Sequence, residues 1–184
     1  LSTFILSIFT FTLIADEGMW LPQLLKTMNE SEMHANGLQL NADDLYSINQ
    51  SSLKDAIVSL NGGGCTAEMI SSEGLLLTNH HCAYGSIQEH SSINNDYLKN
   101  GFWAMNRQQE LVNKDLTASF LISINDVTER VLDELKSTKT EQERRLKIRE
   151  ISKTIVDEVT DSTHYNARVK SFFGGNNFYV MVYE

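Results

Sequence analysis

The sequence predicts an α+β fold in an incomplete domain, on three observations. Residues 65–71 (CTAEMIS) and 75–79 (LLLTN) are short apolar-rich runs flanking the turn-like triplet Ser72-Glu73-Gly74, the pattern of a β-hairpin. From Asp126 onward apolar residues recur at helical spacing, first Val127, Val131 and Leu135, then Ile148, Ile151, Ile155 and Val159. Residues 178–183 (FYVMVY), behind Gly174-Gly175-Asn176-Asn177, read as a further strand. The 184 residues are 41% apolar and 21% charged, enough for a hydrophobic core and too apolar for disorder. A net charge of -9 offers no basic field to phosphates, so nucleic acid is not an expected partner. The single proline excludes a Pro-rich linker, and two cysteines allow only one internal bridge.

In chain order, residues 4–14 (FILSIFTFTLI) carry no charge and three hydroxyls, and are followed by Ala15 and the acidic pair Asp16-Glu17. That is the length of a secretory h-region and too short for the ~30 Å of a bilayer core, so no stable membrane insertion is expected. A buried core strand or helix is the alternative for this run. Residues 1–15 are read as a signal-peptide remnant cleaved after Ala15, although Leu13 fits poorly the small residue expected two positions earlier. Leu1 is neither an initiating Met nor part of a basic n-region, so the beginning of the signal is expected to be missing. Export places the protein in the periplasm or at the exterior of a bacterium, an oxidising setting in which Cys65 and Cys82 can pair.

Leu21, Leu24, Leu25 and Met28 fall on one helical face, with Pro22 in the first turn and Gly37 beyond the end. Ser52 and Asp55 form a capping pair ahead of Leu53, Ala56, Ile57 and Leu60, which predicts a short helix stopped by Gly62-Gly63-Gly64. The helix carrying Ile148 to Val159 is expected to be capped by Thr138 or Thr140 with Glu141 or Glu143, its charged face a solvated surface. A hydrophobic strand dangling at residues 178–183 would be an aggregation hazard, so the sequence is expected to stop in mid-fold.

The segment that carries chemistry is residues 64–85 (GCTAEMISSEGLLLTNHHCAYG). A cysteine opens the first strand, and the second ends in His81-Cys82. Hairpin strands can bring such cysteines within the ~4.4 to 6.8 Å Cα separation of a disulfide. Closing a loop of this size contributes roughly 3 kcal/mol in the chain-entropy model. On an extended segment His81 and Cys82 point to opposite sides, so the imidazole can face a cleft while the cysteine staples the wall behind it.

This arrangement resembles the histidine strand of chymotrypsin-type serine proteases, in which a Cys-initiated hairpin returns to Thr-x-x-His-Cys, here Thr78-Asn79-His80-His81-Cys82. The wider sequence is similar to the N-terminal part of the bacterial dipeptidyl-peptidase 7 and dipeptidyl-peptidase 11 family. The segments that carry this likeness are DEGMWLP (16–22), SLKDAIV (52–58), TNHHCAYG (78–85), QEHSS (88–92) and DYLKNGFWA (96–104). The resemblance implies an exported serine exopeptidase with a chymotrypsin-type double β-barrel and an added helical domain, which removes dipeptides from peptides with a free N-terminus. Residues 16–184 are then the N-terminal part of the peptidase domain, contributing first-barrel strands. His81, directly before the cysteine, becomes the triad histidine, Cys65 and Cys82 the bridge beside it, and His80 a neighbour pointing away. By the family's pattern the triad aspartate and serine follow Glu184, so the 184 residues alone are expected to be inactive.

Other readings compete. A lone histidine is most simply structural. A secreted barrel could keep the histidine and bridge yet bind peptides without cleaving them, and a trypsin-like endopeptidase would cleave within proteins. A zinc site at His80, His81 and Cys82 is not expected, because three consecutive strand residues cannot converge on one tetrahedral ion. No metal or cofactor is expected: the triple glycine lacks the Lys-Ser/Thr of a phosphate loop. Trp20, Phe102 and Trp103 are read as core packing, and His34, His90 and His164 as surface or core residues. Asn29-Glu30-Ser31 and Asn49-Gln50-Ser51 match a glycosylation pattern that arises often by chance. Oligomeric state and substrate side-chain preference are not encoded legibly.

Overall fold

The computed structural model describes residues 20–184; the run read as a signal peptide lies outside the described residues. Six strands, β1 (Ile57–Leu60), β2 (Cys65–Met69), β3 (Leu76–Thr78), β4 (Ala118–Asp126), β5 (Asn166–Phe172) and β6 (Asn177–Tyr183), form one sheet in the order β3-β2-β1-β4-β6-β5. Every neighbouring pair is antiparallel. The helices are α1 (Leu25–Met28), α2 (Glu30–Ala35), α3 (Ala42–Leu45), α4 (His80–His90), α5 (Tyr97–Asn100), α6 (Thr128–Leu135) and α7 (Glu141–Thr160). The mixed helix and sheet architecture expected from the sequence is therefore present.

The expected hairpin is β2 and β3, registered Ala67 to Thr78 and Met69 to Leu76. Gly74 supplies the left-handed residue of its turn (φ +88), where a Cβ would be strained. The expected helices α6 and α7 also form. Thr140 and Glu143 make the reciprocal capping box of α7, each side chain meeting the other's backbone N–H. Ile151 and Ile155 of α7, with Val131 and Leu135 of α6, pack on Phe178 and Val180 of β6, so this core sits between the two helices and one face of the sheet. A second core, Val58, Leu60 and Ala67 with Cys65, Leu76 and Phe120, lies at the other end.

Two expectations are corrected. Residues 57–60 are strand, not the end of a helix: Leu53–Ala56 is a single 3-10 turn behind the Ser52–Asp55 capping box, and β1 then pairs with both β2 and β4. Ile57 and Val58 are β-branched, and two ladders outweigh a helical spacing of four residues. The segment 21–28 starts as a 3-10 turn at Pro22–Leu24, and the helix breaks at Asn29 (φ -127), giving α1 and α2 rather than one continuous helix. β6 does not dangle, since β4 and β5 pair with it on either side. β4 and β5 themselves went unread in the sequence.

No helix among the described residues is long and apolar enough to cross a membrane.

Candidate active site

The site is built on the β2–β3 hairpin and the helix that follows it. β3 ends at Thr78, and the chain turns at Asn79 (φ -71, ψ 146) straight into α4. Cys82 N–H donates to the Asn79 carbonyl (3.0 Å), closing the first turn. His81 and Cys82 are thus helical, not extended, and their side chains lie about 100° apart rather than opposed. The ladder with β2 ends at the Ala67–Thr78 pair, and Asn79, a residue type that favours a helix start, is the N-cap of α4.

Cys65, the first residue of β2, is bonded to Cys82, with the sulfurs 2.01 Å and the Cα atoms 6.0 Å apart across a sequence separation of 17. Cys65 faces Leu60 in the β1–β2 ladder and packs on the Val58, Leu60 and Ala67 core. Thr78 Oγ1 donates to the Thr66 carbonyl (2.8 Å) across the hairpin. Bridge, ladder and hydroxyl together seat the first turn of α4 on a rigid two-strand unit.

The His81 side chain is exposed, and a ring nitrogen and both bridge sulfurs lie within 4.8 Å of one another. The imidazole therefore stands beside the bridge, not on the far side of the wall the bridge staples. Its ring makes no hydrogen bond or ion pair among the described residues, leaving both nitrogens accessible to further groups. His80 sits edge-on to the Tyr84 ring one helical turn away (5.8 Å, 75°). Residues 80–82 being helical, the strand geometry that kept them from converging on an ion does not apply; the atoms that do converge belong to Cys65, His81 and Cys82. In the bridged state neither sulfur is the thiolate that zinc takes as ligand.

The remaining histidines lie elsewhere. His90 Nε2 meets Asn113 Oδ1 (3.1 Å), His164 Nε2 meets Glu184 Oε1 (2.8 Å), and His34 is exposed. Trp103 is 81% exposed, and Phe102 and Trp20 are also exposed, correcting the expectation of core packing. Phe102 tilts against Tyr97 (4.9 Å), so this segment packs within itself instead of on the sheet cores.

On another part of the sheet, a cavity of about 510 Å³ is lined by Pro22, Leu25, Tyr46, Lys54, Ile57 and Leu121, among others, and does not include His81. Sequence reasoning missed its polar groups. The Lys54 ammonium is largely buried, donates to the Leu121 carbonyl (3.3 Å) and pairs with Asp55. Partial burial pushes the Asp55 carboxyl up, but bonds from Lys54 and the Ser52 amide, with the Lys54 charge, outweigh it and hold the group below its ordinary value. The Tyr46 hydroxyl accepts from the Ile124 amide (3.0 Å); burial raises its pKa, against that bond. With its charge paired, this cavity is a largely apolar recess. The Ser52–Asp55 pair was the one signal that could have marked it.

The peptidase S46 family model matches residues 15–184. The chain is 46% identical over 184 residues to the Asp/Glu-specific dipeptidyl-peptidase of Flavobacterium psychrophilum, covering 100% of this chain and 26% of that protein. It is 45% identical over 170 residues to dipeptidyl-peptidase 7 of Capnocytophaga gingivalis, covering 92% of this chain and 24% of the relative. The crystal structure of Porphyromonas endodontalis DPP11 superposes with a TM-score of 0.80 at 40% identity, over 92% of this chain and 24% of that one. The chain thus spans about a quarter of the length of these relatives. With the family model matching almost the whole sequence, and relatives sharing more than a third of its residues, the chain belongs to the peptidase S46 family.

Proposed function

We propose that this chain is the N-terminal portion of an exported serine dipeptidyl-peptidase and supplies its general base, His81. The observation that carries the proposal is the exposed His81 imidazole, seated beside the Cys65–Cys82 bridge on the first turn of α4, in a chain of peptidase S46 sequence. An unpaired, solvent-facing ring on a rigid unit is what proton transfer needs, because a base must come within hydrogen-bond reach of its partner without moving its own support. In this reading a serine hydroxyl beyond Glu184 attacks the scissile carbonyl as a His81 nitrogen takes its proton. His81 then returns that proton to the leaving amine, while an aspartate, also beyond Glu184, fixes the other ring nitrogen. The six-stranded sheet supplies strands of the first barrel of a chymotrypsin-type double barrel. The apolar run at residues 4–14 supports export to the periplasm or cell exterior, where the bridge is maintained.

The substrates are peptides with a free amino terminus. Asp/Glu-specific relatives and DPP11 bound to the dipeptides Arg-Glu and Arg-Asp support a peptide ligand. Incubating the complete enzyme with a peptide and its N-acetylated twin tests the proposal by mass spectrometry. The free peptide is expected to lose dipeptides stepwise and the acetylated one to stay intact; internal cleavage of both would instead establish an endopeptidase, and cleavage of neither a binding protein.

A further inference from the structure

Among the described residues one group of metal-capable atoms converges, and it joins the proposed base to a pair of sulfurs that the proposed reaction does not use: Cys65 Sγ, Cys82 Sγ and a nitrogen of His81, within 4.8 Å of one another. We infer that opening the bridge turns this corner into a binding site for a borderline divalent cation such as zinc, with two thiolates, the His81 imidazole and a water molecule as ligands. Zn–S bonds near 2.3 Å and Zn–N bonds near 2.0 Å set tetrahedral ligand atoms about 3.5 to 3.8 Å apart. The nitrogen therefore needs at most a small adjustment, and the two sulfurs, once their bond is broken, need only part to that spacing. The scaffold keeps them near that spacing after reduction: β2 is hydrogen-bonded to β1 on one side and β3 on the other, and α4 follows β3 after one residue. Exposure of His81 provides the entry path.

The steps balance. A dithiol reductant supplies two electrons and two protons, the S–S bond breaks into two thiols, and the reductant leaves as its own disulfide. Binding of the dication then displaces both thiol protons to solvent and forms two metal–sulfur bonds and one metal–nitrogen bond. The ring nitrogen so engaged has no lone pair left for a proton. This inhibitory consequence rests on the proposed role of His81; the binding itself does not.

The complete enzyme, reduced with a water-soluble phosphine that becomes the phosphine oxide at the expense of water, is titrated with Co²⁺ as a spectroscopic probe and then with Zn²⁺ as competitor. One equivalent of Co²⁺ should produce a sulfur-to-metal charge-transfer band, absent from the oxidised enzyme and from Cys65→Ser/Cys82→Ser. Reduced His81→Ala should bind at least 10- to 100-fold more weakly, the loss that accompanies removal of even an outer-shell partner. No band in the reduced enzyme, equal affinity in His81→Ala, or loss of the circular-dichroism spectrum on reduction alone overturns the site. In parallel, Zn²⁺ should abolish hydrolysis by the reduced enzyme, reversibly with a chelator, and leave the oxidised enzyme unaffected. Metal binding that leaves the rate of the metal-free reduced enzyme unchanged would leave the site standing and refute His81 as the base.

Discussion

Removing the Cys65–Cys82 bridge by the double change Cys65→Ser/Cys82→Ser should loosen one corner of the molecule and slow the chemistry there. The bridge closes a sequence separation of 17, worth about 3 kcal/mol in the chain-entropy model. β2 keeps both its ladders in the variant, so the loss falls on openings that detach α4 from the hairpin and not on the α6–α7 core. At 1.4 kcal/mol per decade, such openings become roughly 100- to 200-fold more frequent. Hydrogen exchange of the complete enzyme, read by mass spectrometry, should show this acceleration at residues 65–69 and 80–84 and no change in β5 and β6. A base that wanders by about an ångström costs on the order of 10²-fold in turnover, so kcat should fall by that order with KM held. Exchange at α4 that changes less than about threefold, or that accelerates equally in β5 and β6, would refute the idea that the bridge specifically seats His81.

Two further outcomes follow from the rest of the fold. Phe178 is 1% exposed among Val131, Leu135, Ile151, Ile155 and Val180, so Phe178→Ala should cost about 3 to 5 kcal/mol in urea unfolding, and a cost below about 1 kcal/mol would contradict the core assignment. Arg130 grips Glu158 with both terminal guanidinium nitrogens, Nη1 and Nη2 (2.6 and 2.8 Å), tying α6 to α7. The hydrogen bond from Arg130 lowers the Glu158 carboxyl, desolvation opposes it, and the Arg130 charge adds to the bond, so the group is held below its ordinary value. A carboxyl depressed in the folded state stabilises fully above the ordinary carboxylate pKa of about 4.3 and loses that contribution as pH falls through the depressed value. The melting-temperature gap between the wild-type protein and Glu158→Gln should therefore narrow from pH 7 to pH 3; a constant gap would show that Glu158 acts through packing and not charge.

What could be read in advance depended on whether the signal was local. The β2–β3 hairpin carried its own turn glycine at Gly74, and α7 carried the Thr140–Glu143 capping box, so both were legible. Leu53, Ala56, Ile57 and Leu60 match a helical period, and only pairing with β2 and β4, contacts distant in sequence, decides for strand at residues 57–60. α4 presents no apolar stripe and contains Gly85, so its sequence gives little sign of a helix; with the helix missed, His81 was given the wrong relation to Cys82. β4 and β5 form around β6, whose Phe178, Tyr179 and Val180 are buried on both faces of the sheet. Arg168 of β5 interrupts an apolar pattern in the sequence but lies over the Tyr183 ring (5.6 Å), a place no single segment reveals. Within the site, the bridge partners followed from there being two cysteines, while the choice of His81 over its neighbour rested on likeness to a family.

That choice is open to direct measurement. Steady-state hydrolysis of a chromogenic dipeptide substrate by the complete enzyme, compared between His81→Ala and His80→Ala with the bridge verified in each, separates two adjacent imidazoles that differ in what they touch. His81→Ala should lose roughly 10³-fold or more in kcat. His80→Ala, which gives up only an edge contact with Tyr84, should change within about twofold. Normal turnover by His81→Ala, or equal losses in the two variants, would contradict His81 as the base.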